Sequence, residues 1–156
     1  MTWQPGRERI AELLADGELA QVTPDDAVAR RLISDATLHL NTAAAAESSG
    51  DLAGAYQLAY DALRKAAAAL LAVQGLRATS RGGHIAIQDS VTAQFGSTVR
   101  AFKAFGRIRR ARNRFEYPDT DTAGPTKDDV NDAIAVATQA KDAAVAIIDQ
   151  RVLSSW

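Results

Sequence analysis

The sequence predicts an all-α protein, an up-and-down bundle of four to five helices with a short extra helix on its N-terminal side. Three observations predict it. Alanine, the strongest helix former, supplies 33 of the 156 residues. β-Branched and aromatic residues are sparse, with aromatics at 6%. Apolar positions recur at spacings of three and four, while the 10 glycines and 4 prolines fall mostly between those runs.

The elements follow in order. Residues 1–22 form an N-terminal amphipathic segment, in which Arg7 to Leu19 places Ile10, Leu13 and Leu14 on one side, to pack on the bundle or on a partner. Residues 23–153 form the bundle. Thr23 is expected to cap its first helix, with Pro24 in the first turn and Asp25 and Asp26 at the positive end of the dipole. That helix runs to Glu47 along Ala29, Leu32, Ile33, Ala36, Leu40 and Ala43, and Ser48-Ser49-Gly50 turns it back into an antiparallel hairpin. The second helix spans about Asp51 to Leu76, with Leu52, Tyr56, Ala59, Leu63, Ala66, Leu70 and Val73 as its stripe. Thr79 to Gly83 break the pattern, and a shorter helix covers His84 to Phe95. Ser97 is expected to cap a fourth helix over Thr98 to Tyr117, Pro118 to Pro125 form a loop, and Thr126 caps a last helix that runs to Val152.

Composition narrows the chemistry. A hydrophobic fraction of 47% and a charged fraction of 24% describe a globular chain, not a disordered one. The net charge of −1 argues against a chain-wide electrostatic grip on nucleic acid or anionic lipid, so any such binding uses a local patch. No cysteine is present, which removes disulfides, thiol nucleophiles and cysteine-ligated zinc. Two histidines, His39 and His84, make a multi-histidine metal site unexpected, and neither a metal nor a cofactor is anticipated. The longest apolar run, Ala66 to Val73, is short of the ~20 residues needed to cross a bilayer. With no signal-like segment at the N-terminal side, the expected setting is cytoplasmic and away from membranes.

The unusual segment is the fourth helix, where five arginines fall between Arg107 and Arg114. At about 100° per residue, Ala101, Phe105, Ile108 and Phe115 share one face, with Arg112 in its middle. Arg109 and Glu116 flank that face, Asn113 sits just beyond it, and Arg107, Arg110 and Arg114 point the other way. A guanidinium on an apolar stripe is costly unless it is paired or turned to a ligand. Glu116, four residues on, can pair with Arg112 in a structural ion pair. The alternative is an anion site with Arg112 and Arg109 as clamps, and the outward arginines following a phosphate backbone.

Arg112-Asn113-Arg114-Phe115-Glu116-Tyr117-Pro118 near the end of a helix resembles the signature region of HEPN domains, the higher eukaryote and prokaryote nucleotide-binding superfamily. The segment from Tyr56 to Gly75 is similar to the family's second helix, and the order of elements agrees over about Asp25 to Gln150. The resemblance implies a helical bundle that forms homodimers. It also implies a metal-independent endoribonuclease, often the toxin of a toxin–antitoxin or phage-defence system. The family's motif is an arginine, commonly a polar residue next, then four to six residues to a histidine. The arginine stabilises phosphate charge, and the histidine moves protons as the ribose 2′-hydroxyl attacks. Arg112 matches the arginine and Asn113 the polar residue. Tyr117 stands where the histidine is expected, and no histidine follows His84. A tyrosine titrates near 10 and is a poor base at neutral pH. Glu116 beside Arg112 is a weakened one. The implied site is therefore Arg112, Asn113, Glu116 and Tyr117, with Arg109, Arg110 and Arg114 on the RNA.

Two other readings stand beside this one. The first is a non-catalytic HEPN module that homodimerises and pairs with a nucleotidyltransferase or antitoxin, with Tyr117 as a candidate acceptor for modification. The second is a helical adaptor whose arginine face binds an acidic protein. Among isolated residues, His84 after Gly82-Gly83 reads first as a cap or loop contact and second as a site residue, and His39 as a packed or partly exposed histidine. Arg77 and Arg81 lie beside a loop that could meet phosphate, though Gly82-Gly83 is no phosphate-binding motif. Tyr56 and Tyr60 read as core or interface, Asp119 and Asp121 first as a solvated loop and second as a cation site, and Trp3 and Trp156 as either anchors for the ends or disordered.

Overall fold

The helix at the middle of the chain carries much of the buried core, and the rest of the molecule is arranged around it. The computed structural model describes residues 2–156. Among these run α1 (Arg7–Ala15), β1 (Leu19–Gln21), α2 (Asp26–Ser49), α3 (Leu52–Gln74), β2 (Leu76–Ala78), α4 (Gly83–Phe95), α5 (Arg100–Lys103), α6 (Phe105–Glu116) and α7 (Lys127–Asp149). The central helix is α3. Alanines 55, 59, 62, 66, 67 and 69 are fully buried around it, and Leu63, Leu70 and Leu71 fill the gaps between them. Short side chains let neighbouring helices approach closely. α2 and α7 pack along α3, and α4 and α6 also contact it.

The all-α bundle and its four main helices are as the periodicity predicts, with three differences. The first concerns the start of α2. Asp25, not Thr23, is its cap, accepting from the Val28 backbone N–H at 2.9 Å. Thr23 and Pro24 stay outside because the chain before the helix closes the end of α3. Val22 N–H donates to the Gly75 carbonyl at 2.8 Å, and Asp25 N–H to the Ala72 carbonyl at 3.0 Å. Those bonds hold the segment extended, with Asp25 at φ −141°. Gly75, at φ +72°, ends α3 where a side chain would strike the Val22 carbonyl.

The second difference is a short antiparallel ribbon. β1 pairs with β2 in the register Leu19 to Ala78 and Gln21 to Leu76. It brings the chain back from the end of α3 to the start of α4, and it joins residues 1–22 to the bundle. Of the two dockings open to the N-terminal segment, the molecule adopts the one on the bundle, with Ile10 and Leu13 fully buried. Three-residue strands leave no period to read.

The third difference lies in the predicted helix from Thr98 to Tyr117, which begins later and is split. α5 starts at Arg100 after Val99, and Ser97 gives no cap. Ala104 then separates α5 from α6. The Phe102 carbonyl at that break is taken by the Thr92 hydroxyl of α4 at 3.1 Å. The break lets both Phe102 and Phe105 reach full burial. Beyond it, α7 carries the predicted Thr126 cap as a complete capping box with Asp129. It ends at Asp149, short of Val152, where Arg151 turns left-handed at φ +52°. Residues 152–156 fold back, and the Trp156 N–H bonds the Gln74 carbonyl at 2.9 Å. No helix is long and apolar enough to cross a membrane among the described residues.

Candidate functional site

α6 lies across α3 and α4, and its arginines divide by the helix they reach. Phe105 and Ile108 are fully buried and set the helix's rotation. Arg109 and Arg112, one turn apart, are then left half-buried at the seam, while Arg107, Arg110 and Arg114 are exposed.

Arg112 points to α3. Its Nε donates to Gln57 Oε1 at 2.6 Å, and one terminal nitrogen donates to Asn113 Oδ1 at 3.1 Å. Its guanidinium sits over the Tyr60 ring, 5.6 Å from the centroid. Arg109 points to α4, where its Nε donates to Gln88 Oε1 at 2.7 Å. Gly106 makes room for this contact, since a Cβ there would lie 2.8 Å from Gln88 Nε2. Each guanidinium is thus held through Nε by a neutral amide. No carboxylate pairs with either among the described residues, and the Arg112–Glu116 ion pair that the spacing allows is not formed.

Other groups meet at the same seam. Arg64 of α3 is 3.3 Å from Asp61, whose charge also acts on His84. His84, the second residue of α4, places Nδ1 2.9 Å from the Tyr60 hydroxyl. Burial, first of all, holds the Tyr60 phenol above its ordinary pKa of 10, so it is neutral at physiological pH. Gly82 lets the loop before α4 run close against the Glu18 carbonyl and Ala86, which fixes where His84 begins. The seam thus gathers three guanidiniums, one carboxylate, one imidazole and the three carboxamides of Gln57, Gln88 and Asn113. A groove of about 530 Å³ opens beside Arg64, lined by Val28, Leu32, Leu71, Ile87 and Arg77.

The predicted site residues are therefore only partly together. Arg112, Asn113 and Arg109 converge. Glu116 and Tyr117 are exposed at the end of α6, with Tyr117 74% accessible, and neither bonds to Arg112. Arg110 and Arg114 project to solvent. Arg107 is bound to Asp132 of α7 at 2.6 Å. Asp119 accepts from Thr122 Oγ1 at 2.6 Å and from the Asp121 N–H at 3.1 Å, which closes its loop on itself. Gln57, Gln88, Tyr60, Arg64 and His84 are the residues that the motif alone misses. The helical spacing of Tyr56 and Tyr60 and the Gly-Gly before His84 are their faint sequence signals. Among the described residues, no three of His, Asp or Glu gather closely enough to hold an ion.

A family model described as HEPN domain matches residues 29–147, which is most of the chain and includes every helix of this site. No curated protein and no solved structure matches the chain.

Proposed function

The chain belongs to the HEPN domain family, and from that premise we propose that it is a metal-independent endoribonuclease of a toxin–antitoxin or phage-defence system. One observation carries the reading: Arg109 and Arg112 are oriented by amides and left undischarged. A structural arginine normally ends on a carboxylate, because the bond and the charge are satisfied together. An amide supplies only the direction. The charge stays available to a phosphodiester, whose oxygens suit the terminal nitrogens of a guanidinium. Negative charge grows on those oxygens during attack by the 2′-hydroxyl, and pre-oriented donors lower that barrier. Arg110 and Arg114, free on the exposed side, extend the contact along the RNA backbone. In this reading the active form is a homodimer.

The test is incubation of the purified chain with total RNA and tRNA in EDTA, beside Arg112→Ala. Cleavage by the unsubstituted chain alone, leaving 2′,3′-cyclic phosphate ends, is expected. Intact RNA in both lanes, from protein shown folded by its far-ultraviolet circular dichroism, overturns the reading. Tyr117 favours a second reading, a binding module paired with a nucleotidyltransferase, because its exposed phenol is open to modification. Transfer of a labelled nucleotide to the chain but not to Tyr117→Phe would select it.

A further inference from the structure

His84 is 24 residues from Tyr60 and 28 from Arg112 in sequence, yet all three meet. The imidazole ring lies 5.7 Å from the Tyr60 ring, centroid to centroid, and the Arg112 guanidinium rests on that same phenol. Tyr60 is fully buried, so this platform is fixed by the core. His84 itself is exposed. Its Nδ1 is engaged by the Tyr60 hydroxyl, which leaves Nε2 as the nitrogen open to a ligand. A phenol both donates and accepts, so Tyr60 serves either neutral tautomer of the ring.

We propose that His84 is the proton-transfer residue of this site, and that Tyr60 positions it beside the phosphate held by Arg112. The proposal rests on the nuclease reading above and assigns its missing base. Nε2 takes the proton of the 2′-hydroxyl as the bond from the 2′-oxygen to phosphorus forms. The bond from phosphorus to the 5′-oxygen breaks, and the departing oxygen takes a proton from solvent water. The imidazolium returns its proton to the hydroxide so formed, leaving a cyclic phosphate, a free 5′-hydroxyl and the neutral ring. The site charges favour this cycle. Facing His84 are Arg64 and Asp61 from α3 and Arg112 and Arg109 from α6, beside the neutral Tyr60. Desolvation first, then Arg64 and Arg112, hold the ring below its ordinary pKa of 6.5, with Asp61 opposing. The ring is therefore unprotonated, as a base must be, throughout the neutral range. Glu116 and Tyr117, at the exposed end of α6, have no comparable contact with Arg112.

The experiment compares the unsubstituted chain with His84→Ala, Arg112→Ala, Tyr60→Phe and Tyr117→Phe on a labelled tRNA in EDTA, with melting curves for each. The expected result is a loss in His84→Ala of roughly 10²- to 10⁴-fold in kcat, the range for a general base, with tRNA binding kept within a few-fold. Added imidazole restores part of that loss. The unsubstituted chain loses kcat/KM only as pH falls below 6.5, because the free-enzyme ring must protonate before the base is lost. Tyr60→Phe keeps the platform, removes the hydroxyl, lowers kcat more than it alters KM and displaces that acid limb. Cleavage by His84→Ala at the unsubstituted rate, with Arg112→Ala dead, overturns the assignment and leaves the nuclease reading standing. Activity lost in Tyr117→Phe and kept in His84→Ala does the same in favour of the α6 motif. No cleavage by the unsubstituted chain overturns both.

Discussion

On the α7 side of helix α6, Arg107 ends on the carboxylate of Asp132 at 2.6 Å. On the α3 and α4 side, Arg112 and Arg109 end on the carboxamides of Gln57 and Gln88 at 2.6 and 2.7 Å. The distances are alike, and the chemistry of the partner is not. The carboxylate completes the charge of Arg107 and makes it a brace between helices. Arg9 on α1 is treated the same way by Glu12 and Asp89. The amides fix the direction of two guanidiniums and leave their charge uncompensated in a half-buried seam. One helix thus carries carboxylate-paired and amide-held arginines within five residues of each other, and the partner atom tells them apart where residue type does not.

The comparison can be broken by experiment. The largest effect is expected for Arg112→Ala, with RNA cleavage down by about 10²- to 10³-fold, the cost of removing one charge-stabilising donor. Cleavage assays at saturating RNA read it. Next comes Gln57→Glu, which turns the amide into a carboxylate and makes Arg112 resemble Arg107. RNA affinity should fall roughly tenfold, about 1.4 kcal/mol, while the melting temperature holds or rises. Unchanged affinity would show that partner chemistry is not what keeps Arg112 available. Arg110→Ala and Arg114→Ala should each weaken binding to all RNA sequences alike and lower the salt slope by at most about 1 per phosphate contact, read from titrations at several salt concentrations. The smallest effect belongs to Arg107→Ala. Its bridge is half-exposed, so stability should change by about 0–1 kcal/mol in urea melts, with cleavage near the unsubstituted rate.

Much of this was readable in the chain. The three-and-four spacing marks all four main helices, and Thr126 with Asp129 marks the start of α7 down to its capping box. Arg112 stands out because a guanidinium interrupts an apolar stripe, and Asn113 follows it from the family motif. What the sequence hides is long-range. Gln57 and Arg112 are 55 residues apart, and Gln88 and Arg109 are 21 apart, with no period linking them. The split at Ala104 arises because a carbonyl bonds to another helix, a contact absent from any local pattern. The expected pairing of Arg112 with Glu116 failed for the same reason, since a distant amide outbid the i,i+4 neighbour for the guanidinium.

α4 is held against α3 at both ends. Its start meets α3 through His84 and Tyr60, and its last turn meets Gln74 through Gln94. The two glutamines are buried and exchange both hydrogen bonds, at 2.7 and 3.0 Å. Two carboxamides facing only each other act as a keyed joint. A slip of α4 by one turn would strand both in an apolar core, at about 1–3 kcal/mol for each unsatisfied group. No intermediate offset satisfies them, so the joint admits one setting and rejects its neighbours. Precision at the open end of α4 is thereby enforced from the closed end, ten residues away, by two buried carboxamides.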